Sequence, residues 1–141
     1  MIHKKAVILI GVLLLIGIFS WIYFLESSER VVKIGAKQWV VEQASTKESR
    51  ILGLGLRESL SPGTGMLFLF PDIGPGRYSF WMEGMQFPLD IAWIRDGRIV
   101  FLERNIPADS RDVFRPSEDA DAVLEVNAGE LSDVVIGDIV K

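Results

Sequence analysis

Arg77 to Ile94 reads RYSFWMEGMQFPLDIAWI, and the fold turns on how this stretch divides. Tyr78, Phe80 and Met82 share one parity while Ser79, Trp81 and Glu83 share the other, which predicts a strand apolar on one face and mixed on the other. Beyond Gly84 the run from Phe87 to Ile94 is almost continuously apolar, the pattern of a strand covered on both faces. Asp90 stands inside that run. A carboxylate there must find donors, so it is expected either as a structural acceptor tying a loop or as part of a site.

Outward from this stretch the punctuation is clear. Asp96-Gly97 is a strong hairpin signal that pairs AWIR with RIVFLE. Upstream, Met66 to Phe70 (MLFLF) is a strand after the turn Ser61 to Gly65, and Val31–Ile34 and Gln38–Val41 form a hairpin. Ser45 and Glu48 have capping-box spacing, so a short helix is expected from near Thr46, ended by Gly53 and Gly55. Downstream, Asn105 to Pro116 reads as an exposed loop and Ala122 to Val126 as a strand. Asn127 can cap one helical turn, and Val134 to Val140 reads as a closing strand broken at Gly137-Asp138.

Residues 6–25, AVILIGVLLLIGIFSWIYFL, carry no charge. At 1.5 Å per residue they reach roughly 30 Å, the thickness of a bilayer's hydrocarbon. Lys4 and Lys5 precede the run while Glu26 and Glu29 follow it, so residues 1–25 are expected as a cytoplasmic tip and uncleaved single-pass anchor in the cytoplasmic membrane. Residues 26–141 are then one extracytoplasmic domain in the periplasm or outside. With Lys4 and Lys5 set aside, 13 basic residues stand against 19 acidic ones, a formal −6 that argues against a nucleic-acid partner.

The chain contains no cysteine and a single histidine, His3, so Ser-His-Asp, Cys-His and the usual zinc chemistry cannot be built. No cofactor or metal is expected; Asp119 and Asp121 lack the alternating loop of a calcium site. Arg50 and Arg57, seven residues apart, would lie nearly on one helix face, with Asp90 as the obvious acceptor for a guanidinium. That pairing reads as a structural ion pair or as a ligand clamp. Trp81, Met82 and Met85 can line a ligand cleft or belong to the core.

The ordered set Arg50-Ile51-Leu52-Gly53-Leu54 with Arg57, then GMLFLF, FWMEGMQFPLDIAWI, a hairpin, VLEVNAGE and IGDIV resembles the prokaryotic family called domain of unknown function 192, over residues about 31–141. The resemblance implies a compact, mainly β domain, often exported or membrane-anchored, with no established activity. After Phe-Trp-Met the family usually carries a lysine, often followed by asparagine and threonine, where this chain has Glu83, Gly84 and Met85. The closing IGDIV resembles the Gly-Asp turn of small cradle-type barrels, which makes Gly137 and Asp138 structural, as Gly53 is at the helix end.

The expected fold is therefore about seven strands in a small, partly open barrel or two packed sheets, with one short helix near the front. The expected role is a non-enzymatic envelope module that binds a small molecule or a protein partner through the helix arginines and the loop Glu83 to Phe87. The alternative is a hydrolase or transferase acting on an envelope glycan through Glu83 and Asp90, which needs those carboxylates to converge in a cleft.

Overall fold

The structure, a computed structural model, describes residues 30–141. Residues 1–29 and the expected anchor lie outside them, and no helix among the described residues is long and apolar enough to cross a membrane. Six strands form one curled sheet in the order β1-β2-β3-β8-β5-β6: β1 (Arg30–Ile34), β2 (Lys37–Ala44), β3 (Thr64–Leu69), β5 (Leu89–Arg95), β6 (Arg98–Ile106) and β8 (Ala122–Asn127). β4 (Phe80–Trp81) and β7 (Val113–Phe114) make a small second ribbon, and α1 (Lys47–Leu52) is the helix. The fold is mainly β, a half-barrel with one short helix.

Alternation along the strands fills both faces of the curl. One face carries Val32, Trp39, Val41, Leu67, Ala92, Ile94, Leu124 and Val126. The other carries Met66, Phe68, Leu89, Ile91, Trp93 and Val123, covered by Leu54, Met82 and Phe87 from the connections. β5 is buried on both faces from Leu89 to Ile94, which is why its sequence barely alternates.

β2 and β3 run parallel, and α1 with its following loop makes the crossover that parallel pairing requires. Thr46 caps α1 by accepting from Ser49 N, and the Ser49 hydroxyl accepts from Thr46 N. The capping box is thus one residue later than the Ser45/Glu48 spacing suggested. Gly53, at φ 51°, ends the helix with its N–H on Ser49 O.

The remaining differences lie where local pattern competes with pairing. Only Phe80 and Trp81 of the expected Tyr78–Met82 strand pair, because β7 offers just two partners. β6 continues through Ile106 into the expected loop, since β5 supplies it with partners as far as Leu89. Val134–Val140 is not a strand but a turn whose end bridges both sheet edges. Val140 pairs with Ile34 and Ile139 with Arg98, and Lys33 and Lys141 exchange backbone bonds of 2.8 and 2.9 Å. This tail joins β1 to β6 at one end of the curl. Asp138 accepts Val135 N at 2.9 Å beside Gly137, whose φ is 95°.

Candidate functional site

Asp90 is fully buried, and its two oxygens accept Asn105 N at 2.7 Å and Leu131 N at 2.9 Å. It thus ties the end of β6 and the turn after β8 to β5. The expected Arg50–Asp90 pair does not form. Arg50 instead reaches the far end of β3 from the level of Asp90, donating to Ser45 O at 2.8 Å, Leu69 O at 2.9 Å and Asp72 Oδ2 at 2.8 Å. That guanidinium holds the exposed Asp72 carboxyl below the usual carboxylate range. Arg57 lies beyond the helix, which ends at Leu52, so the two arginines share no helix face. It grips Glu42 with two bonds of 2.7 and 2.8 Å, and this bidentate contact lowers the Glu42 pKa and raises that of Arg57.

The other expected residues separate. Met82 is core at 2% exposure, whereas Trp81 stands 53% exposed. Trp81, Glu83 and the half-buried Met85 border one cleft of about 520 Å³, within the size range of small-molecule sites. Asp90 is absent from that cleft, so the expected convergence of Glu83 and Asp90 does not occur. Asp119 stands 3.8 Å from Arg77, and Asp121 accepts Asp96 N at 2.8 Å.

The cleft is built by aromatic side chains at the end of β3 and by the segment that crosses it. Phe68 and Phe80 meet edge to face at 4.8 Å, while Phe70 and Tyr78 stack at 3.5 Å with rings 10° apart. The Arg50 guanidinium lies 5.3 Å from the Phe70 centroid. The crossing segment is pinned by Trp93 Nε1 on Tyr78 O at 2.9 Å and by the Tyr78 hydroxyl on Gly74 O. Burial raises the Tyr78 pKa. At the mouth, Ile51, Leu52 and Ile73 are 68, 56 and 61% exposed, an apolar rim continuous with Trp81.

Glu125, which sequence reasoning missed, lies against this cleft. On β8 it is opposite Met66 of β3 and Ile91 of β5, and it shares Val123's face of the sheet. It is only 5% exposed, and its carboxyl has no hydrogen-bond or ion-pair partner among the described residues. Burial alone pushes its pKa up to about 8, so the group is chiefly neutral at pH 7. The available signal was VLEVN: a carboxylate inside an apolar run, the same anomaly that singled out Asp90. The contrast is informative. Asp90 has its donors inside the protein, and Glu125 borders a cleft in which no described group donates to it.

The sequence profile of domain of unknown function 192, described as an uncharacterized ACR, matches residues 30–141. Among solved structures, the chain is similar to a suggested transcription regulator from Sinorhizobium meliloti 1021, with 29% identity, a TM-score of 0.76, and 82% of this chain and 95% of that one covered. It is also similar to a protein of unknown function from Novosphingobium aromaticivorans DSM 12444, at 29% identity and a TM-score of 0.73, covering 80% of this chain and 84% of that one. No curated protein matches the chain.

Proposed function

Because the chain belongs to the domain of unknown function 192 family, whose activity is uncharacterised, we propose its role from the site itself: a binding module whose cleft takes a small molecule with a ring-bearing apolar body and one polar head. The observation that carries this is Glu125. An unpartnered carboxyl beside a cleft walled by Phe68, Phe80 and Trp81 leaves hydrogen-bonding capacity that a ligand head can satisfy, while the rings and the apolar rim receive its body. The acidic balance of the chain argues against carrying a transcription-regulator role over from the Sinorhizobium relative where that role needs nucleic-acid contact. The uncharged run 6–25 would hold the module at the outer face of the cytoplasmic membrane, where a reporter fused after Lys141 should be exported.

The cleft reading is tested with the neutral, solvent-sensitive dye Nile red and the full chain. Saturable, blue-shifted emission is expected, lost in Ser79→Trp, which places an indole on the cleft wall. Equal dye binding by Ser79→Trp would overturn the reading and leave only the exposed rim as the dye's site.

A further inference from the structure

We propose that the polar head the cleft selects is a protonated amine, bound as an ion pair to the Glu125 carboxylate. This rests on the cleft being a ligand site and goes beyond it by naming the ligand's chemical class. Four observations converge. The Glu125 side chain borders the cleft, is buried and has no internal donor. Its cross-strand neighbours, Met66 and Ile91, are apolar, so nothing inside the sheet can neutralise a charge there.

Ring faces are the third. Phe68, Phe80, Tyr78 and Trp81 all border the same cleft, and the negative face of an aromatic ring attracts a desolvated cation. The fourth is the state of the two cations that border the cleft. Arg50 is committed to Asp72 and to two backbone carbonyls, and Lys47, exposed on α1, makes no ion pair with Glu125, so neither cation satisfies that carboxyl. A carboxylate ligand would instead meet the acidic Glu125 side chain, to which no cation is paired.

At pH 7 the bound amine replaces the Glu125 proton. The neutral carboxyl gives that proton to solvent, the carboxylate forms, and the ammonium pairs with it inside the ring-walled cleft. The remaining charged or titratable groups that border the cleft are Lys47 and Arg50 from α1, Asp72 and Tyr78 from the connection after β3, and Glu83 after β4. Glu42 on β2 and Glu103 on β6 occupy the same cross-strand row as Glu125, beyond Met66 and Ile91, and Glu42 is paired with Arg57. Arg50 holds Asp72 low and burial holds Tyr78 high, so these two lie on either side of the range in which Glu125 titrates.

The test is displacement of Nile red from the full chain by tryptamine, tryptophol and indoleacetate, which share a ring system and differ in head charge. Tryptamine should bind at least tenfold more tightly than tryptophol at pH 8, and indoleacetate weakest. Its affinity should rise about ninefold from pH 6 to 7 and about fivefold from pH 7 to 8 as the carboxyl ionises, and calorimetry at pH 7 in two buffers of different ionisation enthalpy should show close to one proton released. Glu125→Gln should abolish the preference for tryptamine over tryptophol and the pH slope of tryptamine binding. Tryptophol binding as tightly as tryptamine, with no proton release by the unsubstituted chain, would overturn the amine assignment and leave the cleft as a site for neutral ligands. Failure of all three to displace the dye would overturn both.

Discussion

Gly65 on β3 and Glu125 on β8 approach so closely that a Cβ on the glycine would lie 2.5 Å from the Glu125 carbonyl oxygen and 2.9 Å from Val126 Cγ1. The absence of a side chain at Gly65 sets the spacing of the two strands beside the cleft. Gly65→Ala should therefore destabilise the protein by about 2–3 kcal/mol, as overpacking against backbone does, and displace β8. Urea unfolding measures the first effect and the backbone amide shifts of Leu124 to Val126 report the second. Retention of full stability would show that β3 and β8 can separate freely.

Asp90→Ala leaves the N–H groups of Asn105 and Leu131 without their acceptor in a buried setting. A loss of about 3–5 kcal/mol is expected, with Asp90→Asn losing less because one carbonyl oxygen remains. Chemical denaturation checks both values. An effect below about 1 kcal/mol in Asp90→Ala would remove the structural role given to this carboxylate.

Glu125 imposes a pH dependence of definite sign. Its pKa is about 8 in the folded protein against an ordinary 4.5, so between those values the folded state holds a proton that the unfolded chain has lost. Stability is then highest below pH 4.5 as far as this group is concerned, falls as pH rises toward 8, and levels above it. The full span is of order 5 kcal/mol, taking about 1.4 kcal/mol per pKa unit. The unfolding free energy of the wild type minus that of Glu125→Gln, followed from pH 5 to 9, should trace this fall, and a flat difference would contradict it.

Trp81 is half exposed beside the cleft, so its removal separates binding from folding. Trp81→Ala should lower Nile red affinity by about tenfold while changing stability by under ~1 kcal/mol. Titration of the dye and a thermal melt, run on the same samples, give both numbers.

The contact between Arg57 and Glu42 is bidentate but partly solvated, with side chains 34 and 39% exposed. A double-mutant cycle with Arg57→Ala and Glu42→Ala should give a coupling of about 0.5–1 kcal/mol, smaller than a buried pair would show. Raising the salt concentration should reduce it further.

The strands were legible wherever their own side chains carried the information. β5 could be read from its two-faced apolar run, the β5–β6 hairpin from Asp96-Gly97, whose φ values of 49° and 70° suit a tight type I′ turn, and α1 from its flanking cap and glycine. The short β4 and the closing turn at residues 134–140 were misjudged because their conformation depends on partners distant in sequence. A two-residue ribbon exists only because Val113 and Phe114 come alongside Phe80 and Trp81.

The sequence by itself determined the mainly β architecture and the short helix of the described residues, and the exclusion of histidine and cysteine chemistry, because alternation, turn residues and composition are local properties. Tertiary structure alone decided which carboxylate is bound and which is open. Asp90 and Glu125 both stand within apolar runs, on strands that neighbour each other in the sheet. Folding brings two backbone N–H groups to the first and only an aromatic cleft to the second, a difference set by the arrival of residues 105 and 131 at Asp90 and of Phe68, Phe80 and Trp81 around the cavity that Glu125 borders.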